Sequence, residues 1–157
     1  MKIRNLEYGE ESLLWNLFYA TIHNINVQDY SEAQINAWAP DDLDEQIWKR
    51  KFQSIKPFVA EVDGEIVGYS DLQPDGLIDH FFVHYQWQRR GVGTALMKEI
   101  ETRAMKNNIA LLETHASITA RPFFEAQGFT VVLEQRVDVR GQKLKNYVMQ
   151  KIIRPNK

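Results

Sequence analysis

A short run of amide, basic and glycine residues follows an apolar segment and is well suited to bind an anion. It comprises Gln88, Arg89, Arg90, Gly91, Val92, Gly93 and Thr94, and an amphipathic segment follows it. The pattern predicts a strand, a tight turn and a helix, whose first turn offers unpaired N–H groups and the positive end of a dipole. Phosphate groups bind at such helix starts, and the glycines allow close approach to the main chain.

Two familiar phosphate-binding loops do not fit this run. A nucleotide P-loop has a Lys-Ser or Lys-Thr pair after its last glycine, whereas Thr94 and Ala95 follow Gly93 here. A dinucleotide-binding turn has a third small residue at the position that Leu96 occupies, and it belongs to an all-parallel sheet. On this motif alone, an ordinary surface helix after a glycine turn stays an open alternative.

A second motif lies about one strand and one helix further along the chain. Residues 117–129 read Ser-Ile-Thr-Ala-Arg-Pro-Phe-Phe-Glu-Ala-Gln-Gly-Phe. This segment resembles a signature of the GNAT acyltransferase superfamily, Asn-x-x-Ala-x-x-x-Tyr-x-x-x-Gly-Phe. The earlier run resembles the acyl-CoA loop of the same family, Gln/Arg-x-x-Gly-x-Gly/Ala. With both motifs in order, the chain is identified as a member of that superfamily.

The resemblance implies an enzyme that transfers an acetyl group from acetyl-CoA, its co-substrate, directly to a primary amine. The diphosphate would bind the turn formed by residues 88–94, and the pantetheine amides would pair with the main chain of Phe81, Phe82 and Val83. The Val83 N–H would stabilise the oxyanion that forms on the thioester carbonyl. A fold that binds acyl-CoA without catalysis is the alternative, because the tyrosine of the family motif is absent.

Three residues compete to accept the proton of the amine. Side chains alternate along a strand, so Asp79 shares a face with Val83, and His80 faces the other side. In the family, a base on this strand lies on the Val83 face, which favours Asp79, acting directly or through water. Imidazole is intrinsically the better base, and a β-bulge would reverse the orientation of His80. His115, after the next strand, is the third candidate.

The proton donor for the leaving thiolate is where this sequence departs from the family. The expected tyrosine is Phe124, which has no proton to give. Tyr147, Ser117 or water would substitute, and Phe124 would instead form an apolar wall against the pantetheine. Ser117, where the family often has asparagine, is either a hydrogen-bond partner of acyl-CoA or a cap for the helix that follows.

Aromatic residues concentrate in the segments that line the acceptor cleft in this family. Most of them follow helical spacing, so core packing explains them. A possible wall for a flat or cationic acceptor consists of Tyr19, His23, Tyr30 and Trp38. The identity of the acceptor does not follow from the sequence.

The amino-acid composition limits the classes of protein and of binding partner that are compatible with the chain. The chain has 157 residues, 44% of them hydrophobic and 25% charged, which suits a single domain over residues 1–157. Its net charge of -2 gives no reason to expect nucleic acid or an anionic membrane as partner. With no cysteine, a disulfide scaffold and a thiolate metal site are excluded, and we expect a cytoplasmic protein that needs no metal.

The periodicity of apolar residues predicts an α/β fold of the mixed α+β type. Helices are predicted over residues 10–24, 31–38, 44–53, 91–107 and 120–127, and strands over residues 2–7, 58–62, 65–72, 76–85, 109–114, 129–139 and 144–153. The resemblance implies a mostly antiparallel sheet with a central, splayed parallel strand pair flanked by helices. By the same analogy, the last strand would pair across a homodimer.

Overall fold

The structure is a computed structural model that describes residues 1–153, so the last four residues of the predicted domain lie outside the described residues. Its helices are α1 (Glu11–Asn24), α2 (Glu32–Trp38), α3 (Glu45–Ile55), α4 (Val92–Lys106) and α5 (Arg121–Ala126). Its strands are β1 (Lys2–Asn5), β2 (Phe58–Val62), β3 (Glu65–Ser70), β4 (Leu77–Ile78), β5 (Phe81–Val83), β6 (Leu111–Ser117), β7 (Thr130–Val139) and β8 (Gln142–Ile152). Except for the strand predicted over residues 76–85, the predicted elements are present, with ends shifted by a few residues.

The strands form two four-stranded sheets, in the orders β1-β2-β3-β5 and β4-β6-β8-β7. Every pairing is antiparallel except that of β4 with β6, which is parallel over two residue pairs, Leu77 with Glu113 and Ile78 with Thr114. The mixed fold with a splayed parallel pair is therefore confirmed.

Local sequence explains the turns and helix starts. Asp63 and Gly64 both have positive φ, 51° and 82°, as a two-residue hairpin turn requires. Ser31 begins α2 with a capping box, in which its hydroxyl accepts from the Gln34 N–H while the Gln34 side chain accepts from the Ser31 N–H. The carboxylate of Asp44 caps α3 in a similar way.

The helices bury both faces of the first sheet. Helices α4 and α5 share one core with both sheets, built around Leu96, Ile100 and Phe124. Helices α1 and α3 pack on the opposite face around Leu14 and Phe52. Helix α2 lies against β8, so the segment between α1 and α3 sits beside the point where the sheets separate.

The predicted single strand over residues 76–85 is wrong, because β4 and β5 belong to different sheets. Between them, the N–H groups of Asp79 and His80 donate to one oxygen of the buried Asp71 carboxylate, at 2.9 and 2.7 Å. The other Asp71 oxygen accepts from the Gln73 side chain at 2.6 Å. The carboxylate thus takes the place of a neighbouring strand, and the regular alternation of side chains does not extend across residues 79–80.

Strand β8 is paired on both sides, with β6 and with β7. Pairing on both sides covers residues 146–150, so this part of the predicted segment 144–153 has no open edge for a second copy. Dimerisation through the ends of β8 or through another surface stays a prediction. No helix in residues 1–153 has the length and hydropathy needed to cross a membrane.

We expect Asp71→Ala to lower the free energy of unfolding by about 2–4 kcal/mol, because two buried N–H groups lose their acceptor. Asp71→Asn retains an oxygen that accepts both hydrogen bonds and should cost clearly less. Urea denaturation at neutral pH measures both changes. Equal losses in the two variants would contradict the role of the shared oxygen.

The free energy of unfolding of the wild type also depends on pH through Asp71. Burial raises the pKa of Asp71 from 3.8 to about 6, so the folded state holds this proton more tightly than the unfolded state. The resulting stability is fully present below the unfolded pKa and is lost as the pH rises through the folded pKa. We therefore expect the free energy of unfolding of the wild type, relative to Asp71→Asn, to fall between about pH 4 and about pH 6. A constant difference over that range would contradict the raised pKa.

Candidate functional site

A cavity of about 940 Å³ lies where the two sheets separate. Strand β5 forms one side, the end of β6 forms the other, and the segment that precedes α4 closes one end. Its size is within the range of about 300–1,000 Å³ that is usual for small-molecule sites.

The backbone of β5 points its polar groups into this gap. The His84 N–H donates to the Val67 carbonyl at 2.8 Å, and Val83 is the register partner of Gly68. Because hydrogen-bonded and non-hydrogen-bonded pairs alternate along antiparallel strands, the N–H and C=O groups of Phe81 and Val83 point away from β3. Among the described residues, the Phe81 groups and the Val83 N–H therefore face the gap without a strand partner, whereas the Val83 carbonyl accepts from two side chains.

Strand β6 forms the opposite wall. It pairs with β4 only as far as Thr114, whereas its pairing with β8 continues to Ser117. Within the part of the chain that the structure describes, the outer edge of residues 115–117 therefore has no strand partner. Two strands with facing unpaired edges can accept an extended, amide-bearing ligand between them.

The Val83 carbonyl is held by two side chains. It accepts from the Thr21 hydroxyl of α1 at 3.0 Å and from the Gln88 side chain at 2.8 Å. The sequence singled out Gln88 as a direct ligand of the diphosphate, but in the structure its amide fastens the loop to β5. Thr21 was not anticipated, since its helical spacing resembles that of a core residue.

The loop before α4 has the backbone geometry of an anion site. Arg89 and Gly91 have positive φ, 59° and 85°, and α4 begins at Val92. Alternating left-handed and right-handed residues turn successive N–H groups toward one side, next to the positive end of the helix dipole. A Cβ at Gly91 would point into open space.

Three residues of this loop contribute differently from what the sequence suggested. A Cβ at Gly93 would lie 2.9 Å from the Phe123 ring, so this glycine is required for packing. The Arg90 guanidinium stacks on the Trp87 ring, 4.0 Å from its centroid. The Val92 side chain is buried in the core. The cavity lining includes Gln88, Arg89, Gly91, Gly93 and Thr94 but neither Arg90 nor Val92.

Ser117 acts as a local cap in the structure. Its hydroxyl oxygen accepts from the Ala120 N–H at 3.0 Å and from the Asn26 side chain at 3.3 Å. Of the two alternatives drawn from the sequence, these contacts favour the helix cap over the ligand partner, because the hydroxyl oxygen already accepts two hydrogen bonds.

Phe124 and Tyr147 differ in their access to the cavity. Phe124 is buried, lines the cavity and packs edge-on against Phe81, with ring centroids 5.3 Å apart. Tyr147 is buried in the core beneath the Arg121 guanidinium and is absent from the cavity lining. The suggestion that Tyr147 replaces the missing tyrosine as proton donor is therefore not supported by its position.

Thr119 supplies a polar group that sequence reasoning missed. Its hydroxyl oxygen is buried, lines the cavity side of the β6–α5 connection, and has no hydrogen-bond partner within residues 1–153. A buried hydroxyl without a partner is costly unless a ligand or water satisfies it. This observation fits a ligand that carries amide groups.

Asp79 lies in the strand break at the edge of the cavity. Its carboxylate accepts from the Lys51 side chain of α3 at 2.6 Å, and Lys51 is about half exposed. Within residues 1–153, Asp79 is the one carboxylate among the lining residues.

Asp79, rather than His80, leaves its predicted face, since its carboxylate binds Lys51 of α3. His80 keeps the face that it was predicted to share with Phe82, and its ring packs against Phe18 and Phe82. It lines the cavity, and its Nδ1 lies 2.9 Å from the hydroxyl of the buried Tyr69. Burial lowers the pKa of His80 to about 4, so its ring is neutral at physiological pH. His115 also lines the cavity and lies on an exposed part of β6, 3.3 Å from the Glu113 carboxylate.

The four predicted acceptor residues separate into two pairs. Tyr30 and Trp38 line the cavity, and the Tyr30 hydroxyl donates to the Lys145 carbonyl at 2.6 Å and accepts from the Ile118 N–H at 2.9 Å. Tyr19 and His23 are absent from the lining. Tyr19 binds Asp41 and His23 binds the Ala39 carbonyl at 2.8 Å, so these side chains fasten the loop after α2.

A split sheet with unpaired main-chain groups and a helix start at one end is suited to an extended ligand that carries amides and a phosphate group. A family model described as an acetyltransferase (GNAT) domain matches residues 26–151. The chain is 36% identical to the uncharacterized N-acetyltransferase YafP of Escherichia coli (strain K12), over 95% of this chain and 94% of that protein. The chain therefore belongs to the GNAT acetyltransferase family, and it is an acetyl-CoA-dependent N-acetyltransferase.

Solved structures agree with this fold. The crystal structure of a GCN5-related N-acetyltransferase, also described as aminotransferase class-II, from Rhodopseudomonas palustris has a TM-score of 0.91 at 30% identity, covering 96% of this chain and 94% of that one. YncA from Salmonella typhimurium, solved with acetyl-CoA, has a TM-score of 0.70 at 16% identity, covering 100% of this chain and 96% of that one. No group of three or more His, Cys, Asp or Glu side chains within residues 1–153 is placed to hold a metal ion.

We expect Ser117→Ala to lower the free energy of unfolding by about 1 kcal/mol, because the Ala120 N–H loses its acceptor. The affinity for acetyl-CoA should stay unchanged. Denaturant unfolding and calorimetric titration of acetyl-CoA measure the two quantities, with Ser12→Ala, an exposed serine of α1, as control. Weaker binding at unchanged stability would instead assign Ser117 to the ligand.

Proposed function

We propose that the chain binds acetyl-CoA in the gap between β5 and β6 and acetylates a primary amine that enters beside Asp79 and His80. The observation that carries this proposal is the pair of facing, unpaired strand edges, with the Phe81 and Val83 backbone groups directed between them. Acetyl-CoA supplies the activated acetyl group, as a thioester on an arm that contains two amides.

The loop of residues 88–94 would hold the diphosphate. The positive φ of Gly91 directs the following N–H groups outward, and the exposed Arg89 adds a charge that pairs with phosphate. Arg90 supports the loop through its stacking on Trp87. Gln88 acts indirectly, because its side-chain amide fixes the loop to the Val83 carbonyl.

The middle of the gap suits the pantetheine arm. The Phe81 and Val83 backbone groups offer hydrogen bonds on one side, and the Thr119 hydroxyl offers a further one. The rings of Phe81 and Phe124 form the apolar wall, which is the role left for Phe124 without a hydroxyl group. The Val83 N–H would donate to the thioester carbonyl oxygen as negative charge develops on it.

Asp79 is our choice for the proton acceptor. It is the single lining carboxylate among the described residues, and its hydrogen bond with Lys51 orients it at the cavity edge. His80 is neutral, but its Nδ1 is engaged with Tyr69 and burial makes the ring a weak base. We assign His80 to shaping the cavity wall.

The reaction then balances without an acyl-enzyme. The amine nitrogen forms a bond to the carbonyl carbon while the bond from that carbon to sulfur breaks. The amine loses its proton to Asp79, directly or through water, and the thiolate takes a proton from water. A thiolate is a good enough leaving group for the absence of a tyrosine at position 124 to be tolerated.

We expect Gly91→Glu to abolish detectable acetyl-CoA binding, because it places a carboxylate where the diphosphate would lie. Gly141→Glu is the matched control, since both glycines have φ near +86° and open space around the Cβ position. The control carries the same strain and charge in the β7–β8 turn. Calorimetric titration of acetyl-CoA measures binding, and normal affinity in Gly91→Glu would refute the loop assignment.

We expect Asp79→Asn to lower kcat by about 100-fold, because the amide cannot accept the proton, while acetyl-CoA affinity stays unchanged. The half-exposed Lys51 stays hydrated, so the fold should be retained. Asp63→Asn, in a remote hairpin turn, is the control. Release of free thiol from acetyl-CoA in the presence of an amine measures turnover, and an unchanged kcat would remove Asp79 from the mechanism.

A further inference from the structure

A second, smaller cavity of about 440 Å³ lies beside the first and has a distinct lining. We name it the aromatic pocket and define it by five rings, those of Trp15, Phe18, Trp38, Trp48 and Phe52. Its volume fits a group of one or two fused rings, at the lower end of the range of about 300–1,000 Å³ for ligand sites.

The walls of the aromatic pocket are held rigid by their own contacts. Trp15 and Trp48 stack with ring centroids 5.7 Å apart and an interplanar angle of 5°. Trp15 also stacks on Phe18, at 5.4 Å and 27°. These three rings contact one another and form one continuous wall, which favours a flat apolar guest that stacks on it without reordering side chains.

The aromatic pocket opens at the reaction centre. Phe18, Trp38 and His80 line both cavities, so a molecule in the aromatic pocket reaches the proposed site of acetyl transfer past His80. Lys51 lines the aromatic pocket, while its partner Asp79 lines the larger cavity. The part of a guest that extends out of the aromatic pocket into the larger cavity therefore lies next to Asp79, which we assign as the proton acceptor.

The charge of the aromatic pocket has one sign. Its lining contains Lys51 and Arg140 and, among residues 1–153, no Asp or Glu. The Lys51 ammonium is engaged by Asp79, whereas the Arg140 guanidinium donates from Nη1 to the Ala37 carbonyl at 2.8 Å and keeps further N–H groups. Arg140 is therefore the lining charge that remains available to attract an anionic group.

The backbone at Arg140 shows that its position is maintained at a cost. Its φ is +44°, in a two-residue turn with Gly141 where Asn, Asp or Gly is usual. An arginine there is unfavourable locally, and what the turn gains is a guanidinium placed over α2 at the rim of the aromatic pocket.

We propose that the aromatic pocket binds the acetyl acceptor, and that the acceptor is a primary amine on a flat aromatic body that also carries a carboxylate. The ring lies against the aromatic wall, and the carboxylate and the amine lie together at the mouth of the pocket, the carboxylate on the side of Arg140 and the amine on the side of His80 and Asp79. This inference rests on the proposed function, since it assigns the acceptor of that reaction.

The first test compares four amines as acceptors at saturating acetyl-CoA, by thiol release. L-tryptophan carries the ring and the carboxylate, tryptamine lacks the carboxylate, L-alanine lacks the ring, and spermidine lacks both. We expect kcat/KM for L-tryptophan to exceed that for each of the others by about tenfold or more. Equal or faster turnover of spermidine or L-alanine would overturn the inference.

Two pairs of variants locate the effect. Ile47→Trp fills the aromatic pocket from a half-exposed position, and Leu13→Trp adds the same ring at a similarly exposed position of α1 that does not line it. We expect Ile47→Trp, and not Leu13→Trp, to raise KM for L-tryptophan by about tenfold. Arg140→Gln should raise this KM by about tenfold but leave that for tryptamine unchanged, and Arg140→Lys should retain most of the preference. Equal effects within each pair would overturn the inference.

Calorimetry separates this inference from the proposed function. If acetyl-CoA binds but only non-aromatic amines are acetylated, the acceptor assignment fails and the proposed function stands. If acetyl-CoA does not bind, the proposed function fails. The aromatic pocket is then supported only if L-tryptophan binds the free protein and Ile47→Trp abolishes that binding, and it is refuted if L-tryptophan does not bind.

Discussion

The two hydrogen bonds that Asp71 accepts from the backbone of Asp79 and His80 set the geometry on which the rest of the structure depends. A strand that continued from β4 to β5 would satisfy its polar groups against a neighbour along its whole length. By satisfying two N–H groups at the break, the buried carboxylate lets β4 stay with one sheet and β5 with the other. The gap between β5 and β6 follows from this separation.

The remaining features of the site are arranged around that gap. The unpaired groups of β5 and β6 face each other across it, the start of α4 lies at one end, and the aromatic residues of α1, α2 and α3 lie at the other. Asp79 and His80 sit at the break itself, so their side chains lie at the junction between the two cavities. The residue pair that interrupts the sheet thus includes the carboxylate that we propose as the proton acceptor.

A structural feature of this protein can be predicted from its sequence when neighbouring residues determine it. The turn at Asp63 and Gly64 and the glycine loop before α4 are determined by neighbouring residues, so their sequence patterns predict them correctly. The strand break is not local, because its cause is a carboxylate eight residues earlier that becomes an acceptor only after β3 has folded against β5. The alternation rule therefore placed Asp79 on the face of Phe81 and Val83, whereas its carboxylate lies against Lys51 of α3.

The partners of individual side chains were also not predictable where they come from distant parts of the sequence. Gly93 fits the loop motif but is needed because the Phe123 ring, thirty residues later, occupies the space a Cβ would take. Tyr19 is an aromatic residue of the type that suits a binding cleft, yet its hydroxyl binds Asp41 across a loop. Composition and spacing identify which residues are suited to a site, whereas contacts between distant segments decide which of them reach it.

The Val83 carbonyl joins the two substrate-binding halves of the molecule. One oxygen atom accepts from Thr21 on α1, whose other residues wall the aromatic pocket, and from Gln88 in the loop before α4. A change in the position of either donor is therefore transmitted to the other through a single peptide group. Any resulting free-energy coupling between the occupants of the two halves is reciprocal, so each must alter the affinity of the other by the same factor.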